Sequence, residues 1–198
     1  MAVVVLAVVS VGCSSGAGGR VASGQAGFGG RLRRELATVQ RFREFPIYWL
    51  GPTYGKLRLT GISTGRVDVV NQTHTKILRT HSHWVDFTYG TCSTPPGGEE
   101  SCAPPLDVQN WPACGRSPAV YHLRLPFPDD VRGAPAAGFG DREEIWTGTS
   151  DIVIFFSHAR RAVADSLRSA NQLTHIKPGQ DLPPAVPAAL SGKLKCKP

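Results

Sequence analysis

Glu143-Glu144-Ile145-Trp146-Thr147-Gly148-Thr149-Ser150-Asp151-Ile152-Val153-Ile154-Phe155-Phe156 holds two β-branched and aromatic runs around a Gly-Thr-Ser break. Runs of this kind separated by a few turn residues predict a β-hairpin. Strand side chains alternate between faces, so Ile152, Ile154 and Phe156 share one side and Val153 and Phe155 the other. A strand apolar on both sides belongs in the interior of a sheet. Directly after it, His158–Leu173 carries Ala159, Val163, Leu167 and Ala170, a narrow stripe of helical spacing, with Ser157 as the expected N-cap and Lys177-Pro178-Gly179 as the stop. A hairpin followed by a helix that lies on it predicts an α+β domain.

Working upstream, short alternating runs recur. Pro46–Leu50 and Lys56–Thr60 flank Gly51-Pro52-Thr53-Tyr54-Gly55, and Arg66–Val70, His83–Tyr89, Leu106–Trp111 and Gly133–Phe139 follow, with Pro126–Asp130 as a Pro-rich connection. Many strands ahead of one hairpin and helix, without βα alternation, predict a mostly antiparallel sheet with a C-terminal helix packed on it. A short basic helix precedes the strands, because Leu32, Leu36 and Val39 fall at i, i+4 and i+7. The tail Leu182-Pro183-Pro184-Ala185-Val186-Pro187 reads as extended, polyproline-like chain.

The N-terminus carries a different message. Residues 1–12 have no charge, are mostly Val, Ala and Leu, and end on Gly12 before Cys13. Such a run is too short for the roughly 30 Å hydrocarbon core and suits the apolar part of an export signal. Val9-Ser10-Val11-Gly12-Cys13 resembles the lipobox of bacterial lipoproteins, which implies cleavage before Cys13 and a lipid on it. Residues 14–30 contain seven glycines and three serines, a composition that behaves as a flexible tether reaching roughly 20–25 Å. The organisation is therefore a signal over 1–12, the lipidated Cys13 and tether over 13–30, and a single extracytoplasmic α+β domain over 31–198.

The chain carries a formal net charge of +7. Residues 14–44 hold Arg20, Arg31, Arg33, Arg34, Arg41 and Arg43 against Glu35 and Glu44. Beside a lipid anchor, Arg31, Arg33 and Arg34 would be drawn to an anionic membrane; a solvated helix face explains the same charges. No nucleic-acid-binding motif accompanies them, and no nucleic-acid partner is expected. Setting Cys13 aside leaves Cys92, Cys102, Cys114 and Cys196. In an oxidising compartment four cysteines imply two disulfides, with three possible pairings. The expected pairs are Cys92–Cys102, closing a Pro/Gly loop, and Cys114–Cys196, holding the tail. The spacings do not suit a zinc site, which draws on closely spaced ligand pairs.

Candidate chemistry is sparse. Gly61-Ile62-Ser63-Thr64-Gly65 matches the G-x-S-x-G pattern, yet a β-branched run follows where a nucleophile elbow needs a helix, so the glycines are expected to bracket a turn between strands. His81 and His83 are the best metal candidates, because residues two apart in an extended segment point the same way; His74, Asp86 or His122 would complete the set. Otherwise His81-Ser82 reads as a polar loop entering a strand. Glu143-Glu144 and Asp129-Asp130 are neighbours in extended chain and read as solvated charge. Tyr48, Trp49, Trp84, Tyr89, Trp111 and Trp146 could line a groove, and core packing accounts for them as well.

Tyr89-Gly90-Thr91-Cys92, the stretch from Cys102 through Leu106-Asp107-Val108-Gln109-Asn110-Trp111 to Cys114, and Trp146-Thr147-Gly148 with Leu167-Arg168-Ser169-Ala170-Asn171 are similar to uncharacterised secreted lipoproteins of actinobacteria. That resemblance implies a cell-envelope protein and brings no catalytic residue with it. The resulting expectation is a membrane-anchored envelope lipoprotein with a non-catalytic role in binding a partner or small ligand, and no cofactor. The alternative is an extracellular metal-dependent or hydrolytic enzyme using the His81/His83 region.

Overall fold

The computed structural model describes residues 29–73, 76–92, 103–114, 129–156, 159–191 and 193–195, with side chains described outside 67–82. Cys13, the expected signal and most of the expected tether lie outside these residues, as do Cys102, Cys196, His74, His122 and Ser157.

The opening hairpin forms as the sequence predicts. Strand β8 (Arg142–Thr147) pairs antiparallel with β9 (Ser150–Phe156), from Thr147 opposite Ser150 to Arg142 opposite Phe155. Around it runs one eight-stranded sheet in the order β2-β3-β4-β5-β9-β8-β7-β6, every neighbouring pair antiparallel. The remaining members are β2 (Thr53–Tyr54), β3 (Leu57–Thr73), β4 (Lys76–Tyr89), β5 (Leu106–Pro112), β6 (Asp129–Val131) and β7 (Ala134–Phe139). With the flanking helices this is an α+β domain with a mostly antiparallel sheet.

One face of the sheet is apolar. Val85, Phe87 and Tyr89 on β4, Leu106 and Val108 on β5, Ile152 and Ile154 on β9 and Ile145 on β8 are all fully buried. Against them pack helix α1 (Gly30–Arg41) through Leu32, Leu36 and Val39, the segment Phe45–Leu50, and helix α2 (Arg160–Asp165) through Val163 and Ala164. Area removed from water, at about 25 cal/mol per Å², is the main favourable term holding these layers together. The opposite face is partly covered by the C-terminal tail, where Ala189, Ala185 and Val186 pack on Trp146.

The segment Phe45–Leu50 crosses the apolar face and would bury unpaired main-chain groups without partners. Side chains supply them. Asn171 accepts from the Ile47 N–H at 3.2 Å and donates to Phe45 O at 2.9 Å. The Tyr89 hydroxyl accepts from the Leu50 N–H at 2.9 Å and donates to Gly51 O at 3.1 Å. Ser150 Oγ donates to Pro46 O at 2.6 Å. Burial raises the Tyr89 hydroxyl well above the ordinary tyrosine range, so it stays a donor.

Several expectations need correction. The helix expected over His158–Leu173 spans only Arg160–Asp165, and Ala159 precedes it in the left-handed region with φ 52°. The chain then turns into β10 (Arg168–Ser169), which pairs with β1 (Tyr48–Trp49) in a separate two-stranded sheet. Pro46–Leu50 is therefore not the hairpin partner of Lys56–Thr60; that hairpin is the shorter pairing of β2 with Leu57 and Arg58. Asp129–Val131 is strand rather than part of a Pro-rich connection. The tail is extended through a bridge between Thr147 and Pro184 but closes in a short helix α3 (Pro187–Leu190).

Gly61-Ile62-Ser63-Thr64-Gly65 is no turn. It lies inside β3, with a register irregularity between Leu59 and Gly61. Gly65 is required there by packing: a Cβ would stand 2.2 Å from the Trp84 ring, whose indole lies across the glycine. An indole covering a strand glycine in this way restores the packing that the missing side chain would have supplied. Likewise His81-Ser82 is strand, since β4 begins at Lys76. The β4–β5 ladder ends at the Val85–Asn110 pair while β5 runs on against β9 to Pro112, and among the described residues β3 and β4 continue as a two-stranded ribbon.

Candidate functional site

Cross-strand register decides which polar groups meet. On β4, Trp84, Asp86 and Thr88 point away from the apolar face that Val85, Phe87 and Tyr89 occupy. On β5, Asp107, Gln109 and Trp111 do the same. The register sets Asp86 opposite Gln109 and Thr88 opposite Asp107, making Asp86 and Asp107 diagonal neighbours, a spacing of roughly 7–8 Å with side chains within reach. One rung along, Trp84 and Trp111 stack with ring centroids 5.8 Å apart and planes at 28°. The Trp111 indole N–H donates to Gln109 Oε1 at 3.2 Å, which orients both side chains.

The two carboxyls sit in a poor environment for charge. Burial, then the neighbouring Asp107 charge, pushes the Asp86 carboxyl up to about 8, against a partial offset from the Phe87 main chain. Burial pushes Asp107 up to about 6, with a hydrogen bond from Thr88 opposing it. Oδ1 of each is closed off from solvent and has no hydrogen-bond partner among the described residues. Of the two, Asp86 keeps its proton to higher pH, which makes it the readier donor and Asp107 the readier acceptor.

Farther across the same face the sheet carries more charge. Glu144 is fully buried with Arg142 Nε 3.3 Å from its Oε1, which corrects the expectation of a solvated Glu143-Glu144 pair. Glu143 projects to the other side, and burial raises its carboxyl. Asp129 and Asp130 are exposed as expected, and Asp130 caps the β6–β7 turn by accepting from the Gly133 N–H at 2.9 Å. Tyr48, Tyr89 and Trp146 are fully buried core residues.

Of the other sequence candidates, Ser63 shares this face through its register with Asp86, and His83 does not. Ser63 is exposed in mid-strand opposite Asp86, without the strand–turn–helix geometry that exposes a nucleophile. His83 lies on the ribbon with Nδ1 2.6 Å from Glu44 Oε1 and its ring edge-on to Phe42. His81 pairs with Asp68 in the ladder, and its side chain lies outside the described residues. Among the described residues no three His, Cys, Asp or Glu gather as a metal set. Cys92 and Cys114 are disulfide-bonded. The sequence signal for the acid–aromatic face was present in the alternation of Trp84–Thr88 and Asp107–Trp111; what joins the two strands is register.

The fold and this face define an α+β domain on a single antiparallel sheet that keeps two carboxyls and a tryptophan stack on its non-core side. No protein-family model, curated protein or solved structure matches the chain.

Proposed function

We propose that this chain is a membrane-anchored bacterial envelope lipoprotein, held by lipid on Cys13, with the non-catalytic role of binding a small ligand on its acid–aromatic face. The observation that carries the binding reading is the Asp86–Asp107 pair beside the Trp84–Trp111 stack. Two carboxyls forced together in a low-dielectric setting cost stability, and strongly perturbed groups concentrate at functional sites. A donor at Asp86, an acceptor at Asp107 and a half-buried indole pair suit a polyhydroxylated ring such as a pyranose. Its C–H face packs on indole while hydroxyls bridge the carboxyls. The anchor reading rests on the apolar run before Cys13, its lipobox-like end and the resemblance to secreted lipoproteins.

Titration of the purified protein with a panel of mono- and oligosaccharides, read by calorimetry and tryptophan fluorescence, tests the binding site. The expected result is a saturable ligand whose affinity falls at least about tenfold in Trp111→Ala and in Asp107→Ala, the loss of one well-made contact of about 1.4 kcal/mol. A ligand bound equally well by both variants would place the site elsewhere. For the anchor, wild-type protein made with its complete N-terminus should enter the detergent phase, and Cys13→Ser should release it.

A further inference from the structure

The charge on α1 runs against its own dipole. A helix N-terminus carries partial positive charge and favours acidic residues. Here the first turn has no acidic residue, Gly29 caps without a side-chain hydrogen bond, and Arg31, Arg33 and Arg34 crowd the end. Arg31 is paired to Glu35 at 2.7 Å. Arg33, Arg34 and Arg41 are exposed, and no ion pair or hydrogen bond engages their guanidinium groups among the described residues. At 100° per residue, Arg34 and Arg41 stand opposite the stripe of Leu32, Leu36 and Val39, which packs into the core. With Arg33 on their flank, the result is a cationic ridge about 12 Å long, at 1.5 Å rise per residue. Its apolar side is already committed to the protein.

We infer that Arg33, Arg34 and Arg41 form a docking surface for the phosphate headgroups of an anionic bilayer, which lays the domain against the membrane with α1 underneath. The occupant follows from charge complementarity and from the chain itself. On the lipoprotein reading, on which this inference rests, only the Gly/Ser-rich residues 14–29 separate α1 in sequence from a lipid at Cys13. Because the apolar stripe is spent on the core, α1 cannot insert as free amphipathic helices do. The contact is peripheral and electrostatic, and salt weakens it.

Full-length Cys13→Ser protein, which lacks the lipidation site, separates this surface from the anchor. In flotation with vesicles of phosphatidylcholine and phosphatidylglycerol at three to one, it should bind at low salt, bind pure phosphatidylcholine far less, and release at high salt. Each arginine should contribute roughly fivefold, so Arg33→Gln/Arg34→Gln/Arg41→Gln should weaken binding on the order of a hundredfold. Lys56→Gln/Arg58→Gln/Arg161→Gln removes the same charge from exposed positions off α1 and should retain most of it. Equal loss in the two triple variants, no preference for the anionic vesicles, or no flotation at all would overturn the inference. Retention on heparin without vesicle binding would overturn it in favour of a soluble polyanion. Detergent partition of wild-type protein reports on the anchor independently.

Discussion

The side-chain amide of Asn110 pairs with the main chain of Tyr48 as a neighbouring strand would: Oδ1 accepts from the Tyr48 N–H at 2.7 Å and Nδ2 donates to Tyr48 O at 2.9 Å. Both residues are fully buried, so water cannot replace the partnership. Asn110 therefore fastens β1 to the apolar face of β5 where no backbone ladder reaches.

Asn110→Ala strands two buried main-chain groups, each costing about 1–3 kcal/mol. Urea denaturation should show the variant destabilised by at least about 2 kcal/mol. Gln109→Ala, one residue away on the other face, should stay within about 1 kcal/mol, because its Trp111 contact is part-buried. Equal midpoints would mean that Phe45–Leu50 is held by apolar packing alone.

Arg132 ties the β6–β7 turn to the end of α2. Its guanidinium donates to Leu167 O at 3.0 Å, Ala164 O at 3.1 Å and Lys177 O at 2.8 Å, and to Gln180 O. Its own backbone is left-handed at φ 54°, a conformation that costs a non-glycine residue about 1 kcal/mol and persists where the surroundings impose it. Arg132→Ala loses the cage and keeps the strain; Arg132→Gly loses the cage and relieves it. Both should lower stability by about 2–4 kcal/mol, with Gly the milder by about 1 kcal/mol. If Arg132→Gly matches wild type in thermal melts, the cage contributes nothing net.

This cage also explains where the sequence misleads. Ala159, Val163, Leu167 and Ala170 keep helical spacing, and Val163, Leu167 and Ala170 are buried. The helix nevertheless ends at Asp165, because carbonyls of Ala164 and Leu167 are taken by Arg132 and Arg168–Ser169 pairs with Tyr48–Trp49. Those partners are distant in sequence and leave no local mark. By contrast, Leu106–Trp111 and Ser150–Phe156 carry their alternation in their own residues and form as read. Gly65 was legible as punctuation only, since what demands it is an indole from another strand. The candidate site was half legible: the polar–aromatic alternation of each strand is in the sequence, while the Asp86–Asp107 diagonal exists only once the register is set.

The disulfides give a third test. Cys92 and Cys114 are bonded, and peptide mapping under non-reducing conditions should join Cys92 to Cys102 and Cys114 to Cys196. On the chain-entropy view a short loop contributes about 3 kcal/mol or less and a span approaching a hundred residues over 4 kcal/mol. Cys196→Ser should then lower the melting temperature more than Cys102→Ser. The opposite order would mean that Leu182 and Ala189 hold the tail more firmly than its disulfide does, and a Cys102–Cys114 peptide would assign Cys196 to Cys92 instead.

The carboxyl pair makes stability depend on pH in an unusual direction. Asp86 rises from 3.8 in the unfolded chain to about 8 in the fold, chiefly by burial and then by the Asp107 charge. Between those values the folded state binds more protons than the unfolded one, so stability falls as pH rises through that window. Asp107, raised to about 6, adds to the fall over its lower part. The chain should therefore be most resistant to urea at about pH 4 and below, as far as these two groups decide it, and lose on the order of several kcal/mol by pH 8. Asp86→Asn keeps the shape and removes the titration. It should raise the urea midpoint at pH 8, leave it nearly unchanged at pH 4, and flatten the slope between. A variant that is less stable than wild type at pH 8 would show the Asp86 carboxylate to be held by favourable partners, and the acid–aromatic face would lose its claim to be a costly, functional arrangement.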